Sequence, residues 1–124
     1  MSQGRLEHVN LTVTDRHRTA RMLMDIFGWE IRWQGKSGSG GDTIHVGTSA
    51  ESYLAIYTRP EGAPGQPING RLNHVGVQVD DLAEAEQRTL AAGYEPFNFG
   101  DYEPGRRFYF HDHDGIEFEV VSYA

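Results

Sequence analysis

The sequence predicts an α+β protein built from two βαβββ modules in tandem. Three observations predict it: a strand phrase written twice, a helical pattern after each copy, and a Pro/Gly-rich segment between them. The first phrase reads Leu6-Glu7-His8-Val9-Asn10-Leu11-Thr12-Val13-Thr14-Asp15, and the second, 66 residues on, Leu72-Asn73-His74-Val75-Gly76-Val77-Gln78-Val79-Asp80-Asp81. The echo continues with Phe27-Gly28-Trp29-Glu30 and Ala92-Gly93-Tyr94-Glu95 at an offset of 65, then Ile44-His45-Val46 and Phe108-Tyr109-Phe110 at 64. An internal repeat has to be settled first, because each copy is one supersecondary unit with its own hydrophobic face to bury.

Residues 6–14 alternate, with Val9, Leu11 and Val13 on one face and His8, Asn10 and Thr12 on the other. Asp15 is the expected N-cap of a helix carrying Ala20, Leu23, Ile26 and Phe27 at helical spacing, and Gly28 fits the left-handed position that ends it. Trp29 to Trp33 reads as the next strand, residues 35–41 as a Gly/Ser loop, and 43–48 and 52–58 as two further strands. Arg59 to Gly70 holds three of the five prolines and reads as a linker. Module 1 thus covers about residues 5–58 and module 2 about 71–124, within a single domain. The second module repeats the order: a strand at 72–79, a helix opened by a capping box from Asp81 to Glu84 and closed at Gly93, then strands near 94–98, 106–111 and 116–122.

Each module is about sixty residues, marginal alone, so the copies are expected to complete each other's core or that of another subunit. No apolar run approaches the ~20 residues of a membrane span, and the N-terminus has no basic-then-apolar signal, so a cytoplasmic protein is expected. The absence of cysteine leaves any metal to His and carboxylate ligands. A net charge of −7 argues against a nucleic-acid partner, which needs a basic face.

If the apolar side of each strand packs under a helix, strand parity assigns the other side. It carries His8, Asn10, Thr12, Thr43, His45, Tyr53, Ala55 and Tyr57 in the first module. In the second it carries His74, Gln78, Arg107, Tyr109, His111, Glu117 and Glu119. A polar face open to water is the ordinary explanation for any single histidine there. The duplication makes His8 equivalent to His74 and Ala55 equivalent to Glu119, so two imidazoles and one carboxylate occupy matching places, a set suited to a divalent metal with open positions.

These residues resemble those of the vicinal oxygen chelate superfamily, which includes glyoxalases, extradiol dioxygenases, fosfomycin-resistance enzymes and bleomycin-binding proteins. The likeness rests on Glu7-His8-Val9, Asn73-His74-Val75, and the run from Phe108 through His111-Asp112-His113-Asp114-Gly115 to Glu119. His113 stands where the family usually has proline. The resemblance implies a curved mixed sheet around a metal cavity, metal ligands at His8, His74 and Glu119, and a fourth ligand position filled here by Ala55. Alanine cannot ligate, which makes a glyoxalase I activity less expected and a three-ligand site more so.

The three-ligand set favours Fe(II) or Mn(II), with Zn, Ni or Co able to occupy it. Tyr57, Tyr109, His111 and His45 are the candidates for proton transfer beside it. The leading expectation is a metal-dependent enzyme of the glyoxalase/dioxygenase type acting on a small substrate with vicinal oxygens, ring cleavage of a catechol-like compound being its sharper form. The alternatives are a fosfomycin-type thiol transferase and a metal-free protein that holds a hydrophobic ligand between Trp29, Trp33 and the tyrosines. The resemblance also implies a homodimer that shares ligands across chains, with substrate selection in the loops at 34–42 and 98–106.

Overall fold

A computed structural model describes residues 6–37, 40–61, 72, 74–102 and 105–124 of the chain. It contains the two βαβββ modules. The first has β1 (His8–Thr12), α1 (Arg16–Phe27), β2 (Glu30–Lys36), β3 (Asp42–Gly47) and β4 (Tyr53–Thr58). The second has β5 (Val75–Gln78), α2 (Leu82–Ala91), β6 (Phe97–Tyr102), β7 (Gly105–His111) and β8 (Glu117–Ser122). Each module forms its own four-stranded mixed sheet, ordered β1-β4-β3-β2 and β5-β8-β7-β6. In both, the first strand runs parallel to the last and the remaining pairs are antiparallel. No described helix is long and apolar enough to cross a membrane.

The chain divides into two compact units, one of residues 1–24 and 28–69, the other of residues 25–27 and 70–124. In the first unit Leu11, Val13, Leu23, Ile44, Val46 and Ile56 are buried, as the alternation requires. In the second, Phe108, Phe110, Phe118 and Val120 are fully buried. Phe27, at the end of α1, belongs to that second cluster and packs against Phe110 and Phe118. Burying a ring of this size stabilises by roughly 1.5–3 kcal/mol, so the three phenylalanines carry much of that core.

The helix ends follow their sequence signals. Asp15 caps α1 by accepting from the backbone N–H groups of His17 and Arg18, and Gly28 closes the helix at φ 70°. Asp81 caps α2 by accepting from Glu84 N–H. The Glu84 side chain pairs instead with Arg88 one turn on, at 2.9 Å. Gly93 does stand in the left-handed region, at φ 94°, but one residue beyond Ala92, which caps the helix.

Four boundaries differ from expectation. β2 continues through Gly35 and Lys36, which pair with Thr43 and Asp42, so the first two residues of the expected loop at 35–41 are strand. β6 begins at Phe97 rather than 94, and within it Asn98 takes a left-handed φ of 55° at an irregularity between Phe97 and Gly100. The segment 98–106, read as a loop, is therefore mostly strand, with only residues 103 and 104 outside the description. β5 is shorter than the 72–79 read from the alternation. Of the linker at 59–70, residues 62–70 lie outside the described residues.

Candidate functional site

The polar face in each module is the one strand parity assigned. In the first sheet His8 stands opposite Tyr53, Asn10 opposite Ala55, and Thr12 opposite Tyr57, while His45 faces Ala55 from the other side. An irregularity between Ile31 and Trp33 inserts Arg32 as an extra residue, so Ile31 faces Val46 but Trp33 faces His45. The tryptophan is thereby re-aimed onto the polar face.

The result is an aromatic row. His8 stacks on Tyr53 with ring centroids 5.0 Å apart, His45 stacks on Tyr53 at 4.6 Å, and Trp33 lies 5.0 Å from His45. The Arg32 guanidinium sits 4.5 Å from the Tyr53 ring centre, a cation–π contact. Glu7 supplies the carboxylate, its Oε1 2.9 Å from His8 Nδ1 and within 3.4 Å of the Tyr53 hydroxyl. The His8 contact holds Glu7 below its ordinary carboxylate value, and burial with the Glu7 charge pushes Tyr53 up. Burial lowers His45, aided by His8 and Arg32, so its neutral imidazole is favoured. Tyr57 lies one register step beyond Ala55, and its ring passes so close to Gly41 that a Cβ there would stand 2.5 Å from it.

The second sheet carries ions where the first carries rings. His74 Nε2 lies 3.1 Å from Glu119 Oε1, and Arg107 Nη1 lies 2.9 Å from Glu119 Oε2. Tyr109 faces Glu119 in register and meets the His74 ring edge-on, centroids 6.1 Å apart at 88°. His111 stacks on Phe97 at 4.9 Å, and its Nε2 lies 3.2 Å from Glu117 Oε1. Of the seven residues singled out from the sequence, His74, Glu119, Tyr109 and His111 thus share one face of the second unit. His8, His45 and Tyr57 share one face of the first.

A divalent ion suits the pair in the second unit. An imidazole nitrogen and a carboxylate oxygen 3.1 Å apart are donors that a single borderline metal can bridge. The described residues also contain one cluster of three metal-capable side chains, Asp112, His113 and Asp114. Its geometry is that of a turn. Asp112 Oδ1 accepts from the backbone N–H groups of Asp114 and Ile116, both at 2.9 Å, and Gly115 takes φ 78°. His113 is held by the Tyr94 hydroxyl and by Asp114. Burial pushes the Asp112 carboxyl up, which disfavours the ionised form a cation needs.

Sequence reasoning did not foresee the contacts of Arg107, Glu117 and Glu7. The signal for the first two was present: both lie on the assigned face within two strand positions of Glu119 or His111. Glu7 lies just before β1, where parity gives no direction.

The sequence model of the Glyoxalase/Bleomycin resistance protein/Dioxygenase superfamily matches residues 5–120. No curated protein sequence matches the chain. Among solved structures, a glyoxylase/bleomycin resistance protein/dioxygenase domain from Frankia sp. EAN1pec is similar with a TM-score of 0.80 at 21% identity, over 98% of this chain and 93% of that one. The fosfomycin resistance protein FosX from Listeria monocytogenes, complexed with Mn(II) and sulfate, is similar with a TM-score of 0.74 at 26% identity, over 98% and 93%. A glutamate-to-glutamine variant of that FosX, holding Mn(II) and 1S,2S-dihydroxypropylphosphonic acid, gives 0.75 at 26% over 100% and 95%.

Proposed function

Since the chain belongs to the Glyoxalase/Bleomycin resistance protein/Dioxygenase superfamily, we propose that it is a divalent-metal-dependent enzyme acting on a small substrate with adjacent oxygen atoms. The observation that carries this reading is the convergence of His74 Nε2 and Glu119 Oε1 at 3.1 Å. His8 is the third ligand in this reading. When bound, the metal supplies Lewis acidity, which lowers the pKa of a substrate hydroxyl and orients it.

The chain's own side chains do the rest. Tyr109 limits rotation of the His74 ring through its edge contact. Glu117 orients His111, whose imidazole is a candidate for proton transfer. His45, kept neutral by burial, is a proton acceptor rather than a cation. Tyr57 and Tyr109 each offer a phenol able to donate a hydrogen bond to developing charge.

Ring cleavage of a catechol, with Fe(II) and O2, is the sharper form of the proposal. The likeness to FosX favours a second one, opening of fosfomycin, since that relative is complexed with Mn(II) and a phosphonic acid diol, which carries adjacent oxygens. A homodimer that shares ligands between chains belongs to the same proposal and is supported by exposed Leu6, Trp33 and Phe99.

Titration of the metal-free protein with Mn(II) and Fe(II), with sedimentation equilibrium of the same samples, tests it. One ion per chain, lost in His74→Ala, His8→Ala and Glu119→Ala, and a dimer mass are expected. Stoichiometric binding of neither ion ends the metal reading. Oxygen uptake with catechols, against phosphorus NMR of fosfomycin, then separates the two chemistries.

A further inference from the structure

We infer that Arg107 is a positioning residue that makes Glu119 a one-oxygen ligand. The inference rests on the metal reading of His74 and Glu119 and asks what the guanidinium does there. Glu119 has its two oxygens divided: Oε1 lies against His74 Nε2 at 3.1 Å, and Oε2 against Arg107 Nη1 at 2.9 Å. The side that meets the histidine is the one open to a shared ion, and the other is occupied by a cation.

The guanidinium is fixed from its own strand. Its second terminal nitrogen donates to the Gly105 carbonyl at 3.3 Å. Gly105 in turn lies so close to β8 that a Cβ there would stand 2.5 Å from the Ser122 carbonyl oxygen, so the strand must approach through a glycine. Arg107 and Glu119 are 11% and 13% exposed, the most buried pairing of Arg or Lys with a carboxylate among the described residues. Burying such a pair costs desolvation that its attraction barely repays.

The architecture does not demand the pair. The same positions in the first sheet hold Thr43 and Ala55, and that sheet forms with the same strand order. A costly pair kept at only one of two equivalent places serves the site rather than the sheet. A carboxylate held to one oxygen leaves an ion one more open position than a chelating carboxylate would. That extra position is what a substrate binding through two oxygens requires.

Mn(II) is the probe, and water-proton relaxivity per bound ion is the measurement, because it counts waters on the ion and does not depend on turnover. Three one-point ligands on a six-coordinate ion leave three waters, and a chelating carboxylate leaves two, so Arg107→Ala should lower relaxivity by about a third. Arg107→Lys, which keeps a cation for Oε2, should restore it. Arg107→Met keeps the stem without a donor and should match the Ala variant, which covers the case in which Ala unfolds. Affinities measured on the same samples separate the two readings. Wild-type protein that binds no Mn(II) overturns the metal reading and this inference with it. Wild-type protein that binds, with relaxivity unchanged in both the Ala and Met variants, overturns the inference alone. So does a variant that binds tenfold more tightly at unchanged relaxivity, since Arg107 would then be a competitor of the ion.

Discussion

The two sheets have the same strand order and nearly the same registers, yet their polar faces are chemically unlike. The first is a row of rings, His8, Tyr53, His45 and Trp33, with a carboxylate contact from Glu7 just before the strand. The second is a polar network, His74, Glu119 and Arg107, with His111 and Glu117 beside it. Position by position, Thr43 answers Arg107, Tyr53 answers Glu117 and Ala55 answers Glu119. The β-sheet tolerates either set, because the buried alternation beneath is the same. The repeat shares one scaffold, and three side-chain differences on one face give the second copy the carboxylate and guanidinium that the first lacks there.

Making the second face like the first is the sharpest way to break that contrast. Glu119→Ala copies Ala55 but strands the buried Arg107 charge without its carboxylate, and removing one partner of a buried pair costs about 3–5 kcal/mol. The double variant Glu119→Ala/Arg107→Thr copies both positions of the first sheet and should lose markedly less than the single one. Urea unfolding of the two variants reads the difference. Equal losses would mean that the pair is not coupled and that the two faces differ in more than these positions.

The β3–β4 and β7–β8 turns allow a finer comparison. Thr48 N–H donates to the Ser52 carbonyl and Asp112 N–H to the Ile116 carbonyl, the same backbone closure in each copy. Thr48 Oγ1 accepts one backbone N–H, from Glu51, whereas Asp112 Oδ1 accepts two. At about 1 kcal/mol per hydrogen bond, Asp112→Ala should cost about twice what Thr48→Ala does. Thermal unfolding of the two variants measures the ratio. Equal costs would show that the Asp112 turn is held by its backbone alone.

Much of this was legible in the sequence, for identifiable reasons. Period-two alternation fixed which residues share a face, so His8, His74 and Glu119 landed on the polar sides without any structure. Asp15, Gly28 and Asp81 announced helix ends because capping is local chemistry. What escaped was set by events that alternation cannot encode. The inserted Arg32 turns Trp33 to the opposite face, and the left-handed Asn98 breaks the regular pairing of β6 with β7. The hold of Arg107 on Glu119 depends on cross-strand register, which a single strand does not specify.

The smallest expected effect concerns pH, where one group from each unit should act with opposite sign. His45 is lowered from its ordinary 6.5, first by burial and then by the charges of His8 and Arg32. As pH falls through 6.5 the unfolded chain takes the proton before the folded one does, so stability present above that pH is lost below it. Asp112 is raised from its ordinary 3.8, mainly by burial. There the folded chain holds the proton more firmly, so its contribution is present below 3.8 and is lost as pH rises through the folded value. Urea midpoints at about pH 7, about pH 5.5 and about pH 4 for wild type, His45→Phe and Asp112→Asn separate the two slopes. Against His45→Phe, wild type should lose ground from the first pH to the second. Against Asp112→Asn, it should gain ground toward the third. Parallel curves for His45→Phe would show that the aromatic row leaves its imidazole as free to protonate as in the unfolded chain.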